Sequence, residues 1–430
     1  MLSRLSPSRF LFSKNKTSRI FSNHFASSSD ASPLAKTALY DMTVSIGGKM
    51  VPFAGYEMAV QFNGAGVLKE HLHCRAENSS SLFDVGHMGQ LYWRGKDRAR
   101  FLETVVVADV EALAPGASVL TLVTLPSGGI LDDSIISNHG DSHYMVVNGA
   151  TKHGDIKHFD EQLIAFKKAN PGADVSYEHL SHLNLVAIQG PGAANALSTL
   201  IDGGSAIKDT ISKMSFMSGK KGISVAGIKD CIVTRCGYTG EDGYEISVTP
   251  QHAEKLARAL LAAPGVMPAG LGARDSLRLE AGLCLYGHDM DDKITPNEAT
   301  LAWVIPKTRR DLSSPKANFL GAKKILTELK DKSMQKRRVG LRISGAPARE
   351  GAKIYKRALA GLESASAPGG PIGVITSGTF SPCLKAPVAM GYVPASHFAE
   401  GTQVSVESRG KLVDAVVSKM PFVPSRYFRG

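Results

Sequence analysis

Hydrophobic and polar residues alternate along most of the chain with two periods, one typical of strands and the other of helices. Short runs rich in Val, Ile, Thr or Tyr predict strands at residues 90–93, 118–124, 134–137, 144–148, 185–189, 222–225, 231–235 and 244–248. Apolar residues at three- and four-residue spacing predict helices at residues 97–106, 151–168, 192–200, 252–263 and 272–282. This mixed order predicts an α+β fold rather than a strictly alternating α/β fold.

The pattern changes in the last quarter of the chain. A charged, poorly patterned stretch at residues 307–336 contains one short predicted helix, at 322–329. Beyond it, short strands separated by Gly, Pro and Ser turns are predicted at residues 339–343, 372–377, 388–393, 403–407 and 411–418. These strands predict a small β-barrel or sandwich. Residues 360–370, rich in Ala, Ser, Gly and Pro, are predicted to form a surface loop.

The composition is that of a globular protein. The chain has 430 residues, of which 43% are hydrophobic and 21% charged, so a disordered, collagen-like or coiled-coil chain is excluded. The long uncharged run at residues 112–131 is interrupted by Pro and Gly, so we expect no membrane span. The five cysteines are too few and too scattered for a disulfide framework, and we expect buried free thiols at Cys74, Cys231, Cys236, Cys284 and Cys383.

Much of the positive charge lies at the N-terminus. The formal net charge is +11, and residues 1–29 contribute five basic side chains, nine serines and no acid. This composition predicts a mitochondrial transit peptide at residues 1–29 and a location in the mitochondrial matrix, although a basic, unstructured tail is the alternative. The remaining +6 does not require a polyanionic partner, so we expect no nucleic acid.

Residues 128–136 place two adjacent acids between a glycine turn and an apolar strand. In a strand, Asp132 and Asp133 would point to opposite faces, so they cannot form the facing carboxyl pair of a glycosidase. We expect one acid to face solvent or cap the turn and the other to face whatever the sheet encloses. A carboxylate in such a pocket is suited to proton transfer or to stabilising a cation, whereas two solvated turn acids are the alternative.

Two further motifs combine charge with close backbone packing. Glu245 follows a glycine-rich turn and lies between apolar neighbours, which calls for a polar ligand or an arginine partner. Arg274 lies near a helix start, against the helix dipole, which indicates another anionic partner, and Asp275 can pair with Arg278 three residues on. An ordinary acidic hairpin and a solvated helix are the alternatives. Residue chemistry alone thus predicts a pocket for a small, partly cationic, hydrogen-bonding ligand.

Several familiar motifs are absent. The sequence has no Walker loop, HExxH or CxxC, and residues 190–195 lack the last glycine of the dinucleotide-binding motif and predict a strand-to-helix turn instead. His71, His73 and Cys74 are too close in sequence to chelate one zinc ion comfortably, and His153 and His158 are not at the usual metal spacing. We therefore expect these histidines in surface or core positions and no metal.

Longer motifs resemble a known family. GGILDDSIIS (128–137), RCGYTGEDGYEIS (235–247) and ARDSLRLEAGLCLYG (273–287) closely resemble the aminomethyltransferases, or T-proteins, of the glycine cleavage system. So do LYDMTVSIGGKMVPF (39–53), SLFDVGHM (81–88) and SKMPFVP (418–424). The resemblance runs from about residue 33 to the C-terminus.

The resemblance implies a cloverleaf fold. Two interleaved α+β subdomains would form a folate-binding domain at residues 33–310, and a C-terminal β-barrel domain would occupy residues 337–425. It also implies transfer of a methylene carbon from the aminomethyl-dihydrolipoyl arm of the lipoylated H-protein to tetrahydrofolate, the co-substrate, with release of ammonia. Asp133 matches the catalytic aspartate of the family. The substrate- or folate-binding positions match Glu245, Arg274, Tyr427, Met88, Asn148 and Tyr238.

The chain departs from the common family pattern at Tyr56, Gly86 and Asn297, where tryptophan, serine and valine are usual. Two related classes are also considered. The folate-dependent domain of dimethylglycine or sarcosine dehydrogenases accompanies a flavin domain, for which this chain has neither the length nor the glycine motif. A non-catalytic folate-binding protein of iron–sulfur cluster maturation would carry a K-G-C-Y/F-x-G-Q motif, whereas residues 235–242 differ and Asp133 is kept.

Overall fold

The computed structural model describes residues 33–358, 360–364 and 369–430. The predicted leader at residues 1–29 and part of the predicted loop at 360–370 therefore lie outside the described residues. Among the residues that are described, no helix is both long and apolar enough to cross a membrane.

The N-terminal part combines a small sheet with one strand of a larger sheet. The small sheet has the order β1-β3-β2 and contains β1 (Ala35–Lys36), β2 (Gly48–Phe53) and β3 (Tyr56–Phe62). Helices α1 (Tyr40–Ser45) and α2 (Gly66–Arg75) accompany it and lead to β4 (Ser80–Asp84). The chain then leaves β4 for a different sheet and returns beside it about one hundred residues later.

The second sheet has five strands in the order β6-β7-β8-β5-β9. Its strands are β5 (Gly89–Arg94), β6 (Ser118–Thr124), β7 (Ile130–Asn138), β8 (His143–Val147) and β9 (Ser176–His179). Helices α3 (Arg98–Val105) and α4 (Lys152–Ala169) belong to the same stretch of chain. The buried Trp93 ring anchors this unit, since its centroid lies 4.6 Å from that of Tyr177 and 5.2 Å from that of Phe101.

The third sheet has six strands in the order β11-β12-β13-β10-β4-β14. The strands after β4 are β10 (Asn184–Gln189), β11 (Ser218–Val225), β12 (Ile228–Arg235), β13 (Gly243–Val248) and β14 (Val266–Pro268). The helices are α5 (Ala193–Leu200), α6 (Ser205–Ser212), α7 (Pro250–Ala262) and α8 (Leu271–Glu280). Because β4 pairs with β10, the two sheets interleave in sequence, as the family resemblance implies.

The C-terminal part is a closed barrel with the strand order β15-β18-β17-β16-β19-β20. Its strands are β15 (Lys336–Ile343), β16 (Lys353–Lys356), β17 (Pro371–Ser381), β18 (Ala386–Pro394), β19 (Gln403–Ser408) and β20 (Lys411–Ser418). Helix α9 (Ala322–Asp331) precedes the barrel, after short 3₁₀ turns at Ala302–Val304 and Lys307–Arg309. A further 3₁₀ turn, Ala395–His397, follows β18. The prediction of an α+β protein with a C-terminal barrel is confirmed.

A buried arginine ties α8 to the barrel. The Arg278 guanidinium binds the Asp289 carboxylate (Nη1–Oδ2, 2.5 Å) and donates to the Ser377 hydroxyl of β17 (Nη2–Oγ, 2.8 Å). Arg278 also pairs with Asp275 (Nε–Oδ1, 2.9 Å), as the three-residue spacing predicts. Removing one partner of such a buried pair costs about 3–5 kcal/mol because the other charge remains buried. The orientation of α8, which carries Arg274, is therefore fixed from the barrel side.

Four of the five cysteines lie buried as free thiols, but the prediction is wrong for Cys383. Cys383 is exposed because it lies in the turn between β17 and β18, where Pro382 and Lys385 also interrupt the apolar pattern of the barrel strands. Burial in a strand, which protects Cys231, is not available in a turn.

Candidate active site

A cavity of about 1070 Å³ lies between the two interleaved sheets and the barrel. Its wall includes side chains from β7, β13, α8 and the segment after the last barrel strand. All seven predicted site residues line this one cavity: Met88, Asp133, Asn148, Tyr238, Glu245, Arg274 and Tyr427. The structure thus brings together residues separated by up to 339 positions in the chain.

Asp133 faces the cavity from β7 and is held by the side chain of Asn148, which follows β8. The Asn148 amide donates to Asp133 (Nδ2–Oδ1, 2.9 Å) and also to Asp132 (Nδ2–Oδ1, 2.8 Å). Burial, together with the neighbouring Asp132 carboxylate, raises the pKa of Asp133 to about 7. A carboxyl group with such a pKa can both give and take a proton near neutral pH.

The expectation that one of the paired acids faces solvent or caps the turn is wrong. Asp132 is fully buried and accepts a second hydrogen bond, from the backbone N–H of Asn148 (3.0 Å). The pairing of β6 with β7 shifts by one residue beside Asp132, between Val123 and Thr124. Because Asn148 lies at the end of the neighbouring β8, its amide reaches both acids of β7. The alternation of side chains along β7 does not by itself predict that Asn148 contacts both acids.

Glu245 and Arg274 form the charged end of the cavity. Burial raises the pKa of Glu245, and the nearby Arg274 charge opposes this rise. The Arg274 guanidinium lies over the Tyr238 ring, 4.9 Å from its centroid, and its buried Nη1 has no hydrogen-bond acceptor in the described part of the chain. A buried donor without a partner is costly, so this nitrogen is suited to a ligand acceptor. The predicted arginine neighbour of Glu245 is thus present.

The Tyr427 ring enters the cavity from a C-terminal strap, defined as residues 425–430. The ring stacks on Phe216 with centroids 4.0 Å apart and an interplanar angle of 17°. On one side of Tyr427, Arg426 binds Glu241 (Nε–Oε2, 2.8 Å). On the other side, the Phe428 ring lies 4.2 Å below the Arg235 guanidinium. The position of Tyr427 is therefore determined by its neighbours on the strap.

His87 is a cavity-wall residue that the sequence analysis did not select. Burial and the charges of Arg274 and Lys152 lower its pKa to about 3, so the imidazole is neutral at neutral pH. Its ring packs edge-on against Phe53, with centroids 5.4 Å apart. Its position directly before Met88, inside the motif at residues 81–88, was the available signal. Phe216 had no such signal, because no quoted motif contains it.

The three departures from the family pattern have local structural consequences. The Tyr56 hydroxyl accepts a hydrogen bond from Lys152 (Nζ–Oη, 2.6 Å), a contact that a tryptophan cannot make in the same way. A side chain at Gly86 would place its Cβ 2.3 Å from the Asn184 Oδ1 atom, so a serine there requires Asn184 to move. Asn297 is buried and donates to the Ile325 carbonyl oxygen of α9 (2.7 Å). None of the three replaces a predicted site residue.

His71, Glu280 and Cys383 form a group whose donor atoms lie within 4.8 Å of one another. Although burial opposes it, hydrogen bonds from His71 and Ser381 and the charge of Arg75 lower the pKa of Glu280 to about 2. His71 contacts Glu280 through Nε2 at 3.0 Å. The Glu280 carboxylate therefore already has protein partners, and of the surface or core position predicted for His71 the structure shows the core one.

The fold is two interleaved sheets and a barrel around one large cavity, whose wall carries a buried carboxyl group with a pKa of about 7. Comparison with known families agrees with this arrangement. Residues 39–309 match the family model described as "GCVT N-terminal domain", and residues 336–424 match "Glycine cleavage T-protein C-terminal barrel domain". The chain therefore belongs to the glycine cleavage T-protein family.

Individual relatives support the same assignment. The mitochondrial aminomethyltransferase of Dictyostelium discoideum is 49% identical over 411 residues, covering 94% of this chain and 95% of the relative. The mitochondrial aminomethyltransferase of Mus musculus is 45% identical, covering 92% and 91% of the two chains. The crystal structure of the glycine cleavage system aminomethyltransferase T from Bartonella henselae superposes with a TM-score of 0.80 at 37% identity, covering 92% of this chain and all of that one.

The family resemblance seen in the sequence motifs is thus confirmed over most of the chain. The protein is an aminomethyltransferase of the mitochondrial glycine cleavage system, so the predictions of a transferase and of a mitochondrial location are confirmed. The two alternative classes, the folate-dependent dehydrogenase domain and the iron–sulfur maturation protein, are not needed to explain the fold or the matches.

Proposed function

We propose that the cavity binds tetrahydrofolate and that the enzyme transfers to it the methylene carbon of an aminomethyl group carried by the dihydrolipoyl arm of H-protein. The observation that carries this proposal is one cavity containing both a buried carboxyl group with a pKa of about 7 and a buried guanidinium with an open donor. The volume of about 1070 Å³ suits a ligand of folate size.

The charged end of the cavity fits the pterin ring of folate. The ring presents N–H donors along one edge and acceptors beside them. Glu245 would accept from the donor edge, and the open Nη1 of Arg274 would donate to a neighbouring acceptor. Tyr427, Met88 and Tyr238 would contact the flat ring, and Asn148 would orient Asp133 toward it.

Asp133 would act at the reacting carbon. Transfer breaks the C–S bond to the carrier and the C–N bond to the amino group, and forms two C–N bonds to the folate. The two folate N–H protons end on the carrier sulfur and on ammonia, so atoms and charges balance. A fixed carboxylate stabilises the iminium-like carbon that develops, and a carboxyl group near its midpoint moves the protons. Holding both substrates in one cavity removes the cost of a bimolecular encounter.

The side chains at the mouth of the cavity support the proposal that a protein carries the second substrate. The Trp303 side chain lines the mouth and is 64% exposed, which is unusual for so large an apolar residue. Phe398, also exposed, lies under the Arg337 guanidinium, 4.8 Å away. Exposed aromatic and arginine side chains are enriched at protein interfaces. We propose that the H-protein docks at this rim and extends its lipoyl arm inward.

The proposed domain limits follow the division of the chain into the two interleaved sheets and the barrel. We propose that residues 33–310 form the folate-binding domain, that residues 337–425 form the barrel domain, and that residues 1–29 are a removable transit peptide. The matched family segments, 39–309 and 336–424, support the first two limits.

The turnover assay tests the proposed function directly. Purified enzyme with aminomethylated H-protein should release ammonia only when tetrahydrofolate is present, in equal amount to the methylenetetrahydrofolate formed. Folate binding without such turnover would contradict the enzyme proposal and favour a binding protein. Ammonia release that does not depend on folate would contradict the assignment of the acceptor.

The contacts of the C-terminal strap predict that Arg426 affects the affinity for tetrahydrofolate. Arg426→Ala removes the side-chain contacts to Glu241, to Glu77 (Nη1–Oε1, 2.6 Å) and to the Arg75 carbonyl oxygen, so the strap that carries Tyr427 is held less firmly. We expect the KM for tetrahydrofolate to rise about tenfold, with kcat within about twofold of the unchanged enzyme. Steady-state kinetics check this split, with Arg94→Ala, an exposed arginine on β5, as the control. Equal losses in both constants would place Arg426 in the chemical step instead.

A further inference from the structure

A third buried acid, Asp155, lies next to the paired acids of β7. Asp155 is in the first turn of α4 and has no exposed surface. Both of its carboxylate oxygens are buried without a donor in the part of the chain that the structure describes. The neighbouring Thr151 hydroxyl donates instead to the Asn148 carbonyl oxygen (3.2 Å). The Asp155 carboxyl group lies within hydrogen-bonding reach of the Asp132 carboxyl group.

Two buried carboxyl groups in contact cannot both be ionised at low cost, because like charges at this distance repel strongly in a medium of low polarity. Burial and the Asp155 charge raise the pKa of Asp132, which the two hydrogen bonds from Asn148 oppose, and burial raises the pKa of Asp155 to about 7. One proton between the two carboxyl groups satisfies both, because the O–H of one group donates to the carboxylate of the other.

We propose that Asp155 and Asp132 share one proton and act as positioning residues: the pair holds the Asn148 amide, and Asn148 holds the catalytic carboxyl group of Asp133. This inference rests on the proposed function, since it assigns the role of a group that orients Asp133. The chain of contacts is continuous, from Asp155 to Asp132, then through Asn148 Nδ2 (2.8 Å) to Asp133 (2.9 Å).

The charge of the pair also acts on Asp133. Among the described residues, the ionisable groups that interact with Asp133 are Asp132 from its own strand, Asp155 from α4, and Tyr238 and Cys284 from the loops across the cavity. Burial raises the pKa of Tyr238 and that of Cys284, so both are neutral near pH 7. The negative charge that faces Asp133 therefore belongs to the carboxyl pair.

Asp132→Asn tests this effect with little change in shape. The new amide can donate to Asp155, so the negative charge moves to Asp155, farther along the chain of contacts from Asp133. We expect the midpoint of the pH–rate profile assigned to Asp133 to fall by about one pH unit or more, and kcat to fall about tenfold because Asn148 loses an acceptor. Folate affinity should stay within about twofold. An unchanged midpoint and kcat would overturn the proposal.

Asp155 provides a test that does not depend on the Asp132 variant folding. Asp155→Asn supplies an N–H in place of the shared proton, whereas Asp155→Leu supplies none. We expect the leucine variant to lose kcat about tenfold and the asparagine variant to recover most of it, at equal folate affinity. Equal rates in both variants would overturn the proposal. A fully active Asp133→Asn enzyme would instead contradict the proposed function itself, so the two failures are distinguishable.

Discussion

Asp133→Asn should reduce kcat by about 10²–10⁴-fold, the range expected for loss of a positioned acid–base group. The asparagine side chain can still bind the Asn148 amide through its oxygen, so the shape of the cavity is kept. It cannot carry the negative charge that stabilises an iminium-like carbon, and it cannot transfer a proton. Tetrahydrofolate affinity should remain within about twofold, because Glu245 and Arg274 are unchanged. Rapid-quench turnover and folate titration measure the two quantities separately.

The same variant should also change the pH dependence of stability. The pKa of Asp133 in the folded protein is about 7, above its usual value, so the unfolded chain releases this proton first as the pH rises. The acid therefore destabilises the fold increasingly between about pH 4 and pH 7. Asp133→Asn removes this cost, so we expect its Tm to exceed that of the unchanged enzyme at pH 8 but not at pH 4. Equal Tm differences at both pH values would contradict the raised pKa.

Asp141→Asn is the matched control for both measurements. Asp141 lies in the turn between β7 and β8, on the same sheet as Asp133, and its side chain is 69% exposed beside Lys221 (Nζ–Oδ1, 2.6 Å). Loss of one exposed ion pair has a small effect on stability, about 0–1 kcal/mol. Turnover should be unchanged. If Asp133→Asn retained more than about a tenth of the activity, Asp133 would have no essential part in the reaction.

The sequence predicted the strong elements and the members of the site, for different physical reasons. Strands such as Ser118–Thr124 and helices such as Lys152–Ala169 are long enough for their apolar period to be visible. Short strands were missed, since Lys353–Lys356 has four residues and Val266–Pro268 contains a proline. The site residues came from the family motifs, because local pattern alone did not distinguish Glu245 from an ordinary hairpin acid.

The sequence could not predict contacts between residues that lie far apart in the chain. Asp155 lies in a helical segment whose pattern allows a solvated acid, and only the tertiary fold buries it beside Asp132. Arg426 and Glu241 are 185 residues apart, and their ion pair depends on the path of the C-terminal strap. Such contacts follow from tertiary packing, which determines the surroundings of the catalytic carboxyl group more than local sequence does.

Arg274→Met should weaken tetrahydrofolate binding by about 10- to 100-fold, the size expected for a charge-assisted hydrogen bond in a buried site. Methionine keeps the length and much of the apolar stem, so the packing of α8 is preserved. The variant loses the open Nη1 donor and also the positive charge that opposes the raised pKa of Glu245. Glu245 would then hold its proton more tightly and accept less well from the donor edge of the pterin ring.

This coupling can be measured with Glu245→Gln and the double variant. If Arg274 acts partly through Glu245, the losses in folate affinity of the two single variants should add to more than the loss in the double variant. Isothermal titration with tetrahydrofolate gives the three values, and Arg258→Ala, an exposed arginine of α7, provides the control because its side chain is 54% exposed. Unaltered folate affinity in Arg274→Met would show that this guanidinium does not contact the folate. Strictly additive losses would show that Arg274 and Glu245 bind it independently.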